Sequence, residues 1–97
     1  MSRIASAAYS FQQPTRDLNY HAQLQEWADR NHVLLDWQLL ESKYYNGTLM
    51  HSVYPIVGGV PQSWAIGQAG QVKKAKDEAA KVLIYTQGGL SNALRGR

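Results

Sequence analysis

Three lysines, Lys73, Lys74 and Lys76, lie close together at the predicted start of a helix. In a helix with 3.6 residues per turn, Lys73 and Lys76 are neighbours on one side. Ala75 and Ala79 share another stripe, where small side chains allow close packing on a sheet. Lysines near a helix N-terminus add to the positive end of the helix dipole, which favours an anionic ligand. The spaced phosphates of a nucleic acid are therefore the first candidate ligand.

The same lysines also fit an ordinary solvent-facing helix surface. Lys73 with Asp77, and Lys74 with Glu78, have the i,i+4 spacing of ion pairs that stabilise exposed helices. Taken alone, the lysines leave nucleic-acid binding and a solvated helix face both open.

The composition is that of one small domain. A chain of 97 residues with 44% hydrophobic content can bury one core, and a second domain does not fit. The chain has no cysteine, which excludes disulfides, a thiolate nucleophile and a cysteine-based zinc site. Its net charge of +3 favours polyanionic partners. No apolar run approaches the ~20 residues that cross a bilayer, so we expect an intracellular protein, cytoplasmic or nuclear, with no membrane contact.

The periodicity of apolar residues divides the chain into an arm, a domain and a tail. Residues 1–16 show no sustained period and are predicted to form a flexible N-terminal arm. Apolar residues then recur at helical spacing between residues 17 and 30, and Asp17 can cap the first turn. Residues 35–39 then alternate between apolar and polar, as in a half-buried strand.

Turn residues separate the remaining elements. These are a turn at 44–48, a strand at 50–57, a Gly-Gly turn at 58–59, a strand at 60–66, a helix at 71–85 and a flexible tail at 88–97. Short connections between the strands predict a three-stranded antiparallel sheet with two helices packed on one face. The predicted fold is therefore an α+β, two-layer α-β-β-β-α sandwich, with its domain at 17–87.

This order of elements and several motifs resemble those of double-stranded RNA binding domains. The family pattern Gly-x-Gly-x-Ser-Lys-Lys-x-Ala-Lys-x-x-Ala-Ala is matched without gaps by Gly67, Lys73, Ala75, Lys76, Ala79 and Ala80. Leu24-Gln25-Glu26-Trp27 is similar to the Leu-x-Glu-aromatic motif of the first helix. Gly47 and Tyr54 have the spacing of the family's Gly-Pro-x-His turn and strand-two aromatic. The resemblance covers roughly residues 18–87.

The departures from the family pattern concern ligand contacts more than the fold. Ala69 stands at the second glycine, Gln71 at the serine, Val72 at the first lysine, Thr48 at the proline and Met50 at the histidine. One cation of the phosphate clamp is therefore missing. The nearest histidine to the first turn, His51, lies one residue later than expected.

The resemblance implies non-catalytic binding of double-stranded RNA by its shape. Gln25 and Glu26 would hydrogen-bond 2′-hydroxyls and base edges in one minor groove, and the turn with His51 would enter the next. Lys73 and Lys76 would bridge phosphates across the intervening major groove.

A second hypothesis is a protein-interaction module of the same fold, for dimerisation or as an adaptor, with weak or no RNA binding. Val72 and the altered first turn favour it. No catalysis, metal or cofactor is expected, because the histidines are scattered, the acids form no clear pair and no phosphate-binding glycine loop is present. The partners expected are double-stranded RNA, a second copy of the chain or another protein.

Overall fold

The computed structural model describes residues 11–15 and 18–95. Its elements are, in chain order, α1 (Tyr20–Arg30), β1 (Leu35–Tyr45), β2 (Thr48–Val57), β3 (Val60–Pro61), β4 (Gly67–Ala69), α2 (Val72–Tyr85) and α3 (Gly89–Arg95). A helix, an antiparallel sheet and a second helix packed on the sheet confirm the predicted α+β fold. Among the described residues, no helix is long and apolar enough to cross a membrane.

Helix α1 begins at Tyr20 because Asn19 caps it. The Asn19 side-chain oxygen accepts a hydrogen bond from the Ala22 amide at 2.8 Å, and Asn19 itself has extended backbone angles. Asp17, the cap expected from the sequence, lies outside the described residues. The predicted helical spacing is confirmed, because Leu24 and Trp27 face the core.

Replacing Asn19 with alanine should lower the free energy of unfolding by about 1 kcal/mol, because the Ala22 amide loses its acceptor. Asn19→Asp keeps an acceptor at the same place and should stay close to wild type. Urea unfolding followed by tryptophan fluorescence measures both. An equal loss in the two variants would mean that Asn19 stabilises the protein in some way other than capping.

Part of the predicted arm lies against the domain. The main chain of Gln12 makes two hydrogen bonds with the buried side chain of Gln23, at 2.9 and 3.0 Å. Phe11 is partly buried and packs on the core. These contacts give the buried Gln23 amide the partners that a polar group in a core requires. Residues 1–10 and 16 of the predicted arm are outside the described residues.

Strands β1 and β2 form a long hairpin. Their pairing runs from Leu35 opposite Val57 to Tyr45 opposite Thr48, with a bulge at Leu40. The turn itself is Asn46-Gly47, where both residues have positive φ, 52° and 82°. Two left-handed residues in succession make the type I′ turn that suits the twist of a two-residue hairpin.

The third strand differs from the prediction. In place of one strand at 60–66, two short strands, β3 and β4, pair with the same edge of β2. Val57 pairs with Val60, and an uninterrupted strand would then place Trp64 opposite Val53. Gly67 is opposite Val53 instead, so three extra residues loop out between β3 and β4. The predicted continuous strand is therefore wrong, and residues 67–69, which lie between the predicted strand and the predicted helix, are part of the sheet.

The hydrogen bonds of Gln62 explain this interruption. Its buried side chain donates to the Val60 carbonyl and accepts from the Trp64 indole N–H, each at 3.1 Å. Its own carbonyl accepts from the Ala65 amide at 2.9 Å. These three local bonds replace strand pairing and fold the segment into a turn.

Helix α2 packs very closely on the sheet. Ala75 and Ala79, the stripe predicted from the sequence, are fully buried and pack with Val53 of β2, and Leu83 one turn later is fully buried too. Gly67 of β4 lies against the α2 backbone, leaving no room there for a side chain. Small residues on both elements therefore fix the position of the helix.

Helix α3 occupies the segment for which the sequence predicted a flexible tail. Ala93 is fully buried, and Leu90 packs against the core. A helix of seven residues is too short to show a recognisable period in the sequence. The domain boundaries at 17–87 stay a prediction.

Candidate nucleic-acid interface

The first two turns of α2 present the predicted phosphate contacts. Lys73 and Lys74 are exposed, whereas Lys76 is partly buried. The Lys76 ammonium lies 6.0 Å from the centroid of the Trp37 ring, at the edge of cation–π distance. Within the described residues, neither Lys73 nor Lys74 pairs with the acidic residue four positions later. The two exposed ammonium groups therefore make no direct ion pair on their own helix, although Asp77 and Glu78 line the same cleft.

Asp77 is bonded to helix α1 instead. Its Oδ1 accepts a hydrogen bond from the backbone amide of His21 at 3.0 Å. This amide belongs to the first turn of α1, whose amides have no partner within the helix, so Asp77 acts as a second cap beside Asn19. The carboxylate also meets the positive end of the α1 dipole. The bond thus joins the start of α1 to α2 next to the lysines.

A polar cleft of about 360 Å³ lies at this junction. It is lined by Asn19, Gln71, Lys73, Lys74, Asp77 and Glu78. Gln71 precedes α2 without capping it by a side-chain hydrogen bond. The uncapped start of α2 and the two lysines favour an anion in this cleft, whereas the carboxylates of Asp77 and Glu78 oppose one.

His21 lies at the same junction. Its ring packs edge-on against Trp37, with centroids 5.1 Å apart and planes at 86°. Partial burial, followed by the charges of Lys76 and Lys73, lowers the pKa of His21, and Asp77 acts in the opposite direction. The neutral imidazole is thereby favoured near pH 7. No sequence pattern indicates this placement, since His21 and Asp77 are 56 positions apart.

The predicted minor-groove residues of α1 are on its surface. Gln25 and Glu26 are both exposed, and the Gln25 amide donates to Asp29 at 3.0 Å. Gln25 lies one turn after His21 on the same stripe of the helix. This side of α1 is therefore continuous with the junction that holds Lys73 and Lys76.

His51 lies within strand β2 and not at the tip of the hairpin. It is opposite Ser42 on β1 and opposite Ala69 on β4. The Ser42 hydroxyl and the His51 Nδ1 are 2.7 Å apart. The tip is formed by Asn46-Gly47, and contact of His51 with RNA stays a prediction.

The hairpin carries apolar side chains that the core does not cover. Its large exposed residues are Leu39, Leu40, Tyr44, Tyr45 and Leu49, with Tyr44 70% exposed. The Lys43 ammonium lies 5.7 Å from the centroid of the Tyr45 ring. Exposed apolar side chains along one hairpin make it a candidate contact surface. The sequence pattern missed its extent, because the expected strand ended at residue 39.

Comparison with models of known protein families gave no match, and comparison with curated proteins gave none either. Residues 11–15 and 18–95 contain no group of three or more histidine or acidic side chains that could hold a metal ion.

Proposed function

We propose that this protein binds double-stranded RNA without catalysis and recognises the shape of the duplex. The observation that carries the proposal is the junction of α1 and α2. There, Lys73 and Lys74 are exposed, make no ion pair within the described residues, and lie beside the uncapped start of α2. Positive charge held on a rigid helix start favours a regularly charged polyanion.

In this proposal, three surfaces contact one face of the duplex. Lys73 and Lys76 contact phosphates across the major groove. Gln25 and Glu26 contact 2′-hydroxyls in one minor groove, and the hairpin turn enters the next. The described residues extend over 51 × 28 × 21 Å, and this elongated shape supports contacts at separate points along a duplex.

The residue types on α1 favour RNA over DNA. A carboxylate such as Glu26 repels phosphates, but it accepts a hydrogen bond from a 2′-hydroxyl, and an amide such as Gln25 can donate or accept one. DNA lacks this hydroxyl. The minor groove of an RNA duplex is also wide and shallow enough for side chains to reach it.

A binding titration tests the proposal. The protein is titrated against a duplex RNA of about two helical turns at two salt concentrations, with matched duplex DNA and single-stranded RNA as controls. We expect binding to duplex RNA that weakens as salt is raised, and binding to duplex DNA at least about tenfold weaker. Equal affinity for the two duplexes, or no binding at low salt, would contradict the proposal.

A protein-interaction function is the second candidate, and the exposed apolar hairpin favours it. Light scattering over a range of concentrations tests whether the chain forms dimers. The double variant Leu40→Ser, Tyr44→Ser removes two of the exposed side chains, and Leu34→Ser, 71% exposed and outside the hairpin, is the matched control. A dimer lost only in the double variant, together with no RNA binding, would replace the first proposal with this one.

A further inference from the structure

We propose that His21 is an additional cation of the RNA-binding face, neutral in the free protein and charged once phosphates bind at Lys73 and Lys76. The inference rests on the function proposed above. Val72, 38% exposed, stands where the motif has its first lysine, so one of the three lysine positions of the pattern is apolar and the third lysine of α2, Lys74, lies outside those positions. His21 brings a titratable group to the same place from α1.

The geometry places His21 where three elements meet. Its ring contacts Trp37 of β1, and the Lys76 ammonium lies over the same indole. Its backbone amide is held by Asp77 of α2. The position of the imidazole is thus fixed by two neighbouring elements, next to the lysines and not at a mobile end.

The charges around the ring explain why it is neutral in the free protein. Among the described residues, the charged groups that act on it are Lys73, Lys76 and Asp77, all from α2, and β1 contributes only the uncharged Trp37. Burial and then Lys76 lower the pKa of His21 from its ordinary value of 6.5, and they outweigh Asp77. A positive charge on the His21 ring is therefore disfavoured until an anion binds nearby.

Bound phosphates reverse the effect of the lysines on the pKa of His21. Their negative charge offsets the two ammonium groups, so the pKa of His21 is higher in the complex than in the free protein. Binding then takes up a proton, and affinity must rise as pH falls through the higher pKa of the complex. At a pH well above the pKa of the complex, affinity for RNA does not depend on His21. At a pH well below the pKa of the free protein, the full gain in affinity is reached.

The dissociation constant for duplex RNA, measured at constant salt from about pH 8 to about pH 5.5, tests the inference. Wild type should bind tighter in acid, by about tenfold for each unit by which RNA raises the pKa. His21→Gln should lose this gain. His32→Asn is the control and should keep it, because His32 is exposed and asparagine tolerates its φ of 54°.

A second readout needs no variant. The ring resonances of His21 in the wild-type protein, titrated with and without RNA, should show a higher pKa in the complex. Binding to RNA with an unchanged His21 pKa, or with the same pH dependence in His21→Gln, would overturn this inference and leave the proposed function standing. No binding to duplex RNA at any pH would overturn both.

Discussion

Replacing Gly67 with alanine should lower the free energy of unfolding by about 3 kcal/mol, a large part of the stability of a small domain. A Cβ atom at this position would overlap the Ala75 carbonyl oxygen and the Ala79 backbone nitrogen, and it would lie 2.8 Å from the Ala79 Cα. All three are main-chain atoms of α2, which cannot rotate away as a flexible side chain can. The helix must therefore move off β4 and loosen the core around Val53.

Gly70→Ala is the matched control for this prediction. Gly70 lies three residues further along the same segment, and its nearest neighbour within 4 Å is the Leu49 carbonyl oxygen at 3.8 Å, an ordinary contact. Neither glycine has positive φ, so the comparison isolates the steric effect. Urea unfolding should show a change below about 1 kcal/mol for Gly70→Ala. Similar losses in the two variants would contradict the close helix–sheet contact.

The parts of the fold that follow from local sequence could be predicted. Leu24 and Trp27, three positions apart, mark the buried side of α1, and Ala75 and Ala79 mark that of α2. In each case the apolar residues that mark the buried side lie within a few turns of a single helix. The Asn46-Gly47 turn is equally local, because its two residue types fit a type I′ hairpin whatever surrounds them.

The third strand could not be predicted because its pattern was ambiguous. Val60, Gln62, Trp64 and Ile66 alternate as a strand would, but Gln62 is buried by bonding its own neighbours, and Trp64 remains 46% exposed. Alternation reports which residues share a face of an extended chain, and it cannot report whether side-chain hydrogen bonds fold that chain into a turn.

The candidate site shows the same division between local and distant contacts. Lys73 and Lys76 were found from their spacing on one helix, and a single element brings them together. His21 and Asp77 join that site only because α1 and α2 pack side by side, which no spacing along the chain reveals. The i,i+4 spacing left a Lys73–Asp77 pair open as an alternative, whereas the structure gives Asp77 a partner on α1, the His21 amide.

The double variant Lys73→Ala, Lys76→Ala should weaken binding to duplex RNA roughly 10- to 100-fold at moderate salt. Each lysine that meets a phosphate releases counterions when the complex forms, so each removal should lower the slope of log affinity against log salt by about one. The expected signature is therefore a loss of about two units of slope, together with a loss of affinity. Titrations at four or more salt concentrations measure both quantities.

Lys81→Ala separates a specific contact from a change in net charge. Lys81 is an exposed lysine further along α2; its ammonium lies 6.0 Å from the Tyr20 ring centroid, and Lys81 is not among the residues that line the cleft. Its removal should leave the salt slope within about half a unit of wild type. Because Lys76 also contacts Trp37, thermal unfolding of each variant should be measured alongside binding.

The salt slope could fall by the same amount in Lys81→Ala as in each single variant, Lys73→Ala or Lys76→Ala. That result would mean that overall charge attracts the RNA and that no phosphate clamp exists. An unchanged slope in the double variant would move the phosphate contacts elsewhere. Lys43, beside Tyr45 on the projecting hairpin, would then be the next cation to replace, because it is the nearest lysine to the tip. The salt slope thus decides which end of this elongated domain meets the phosphates, whereas affinity alone would not.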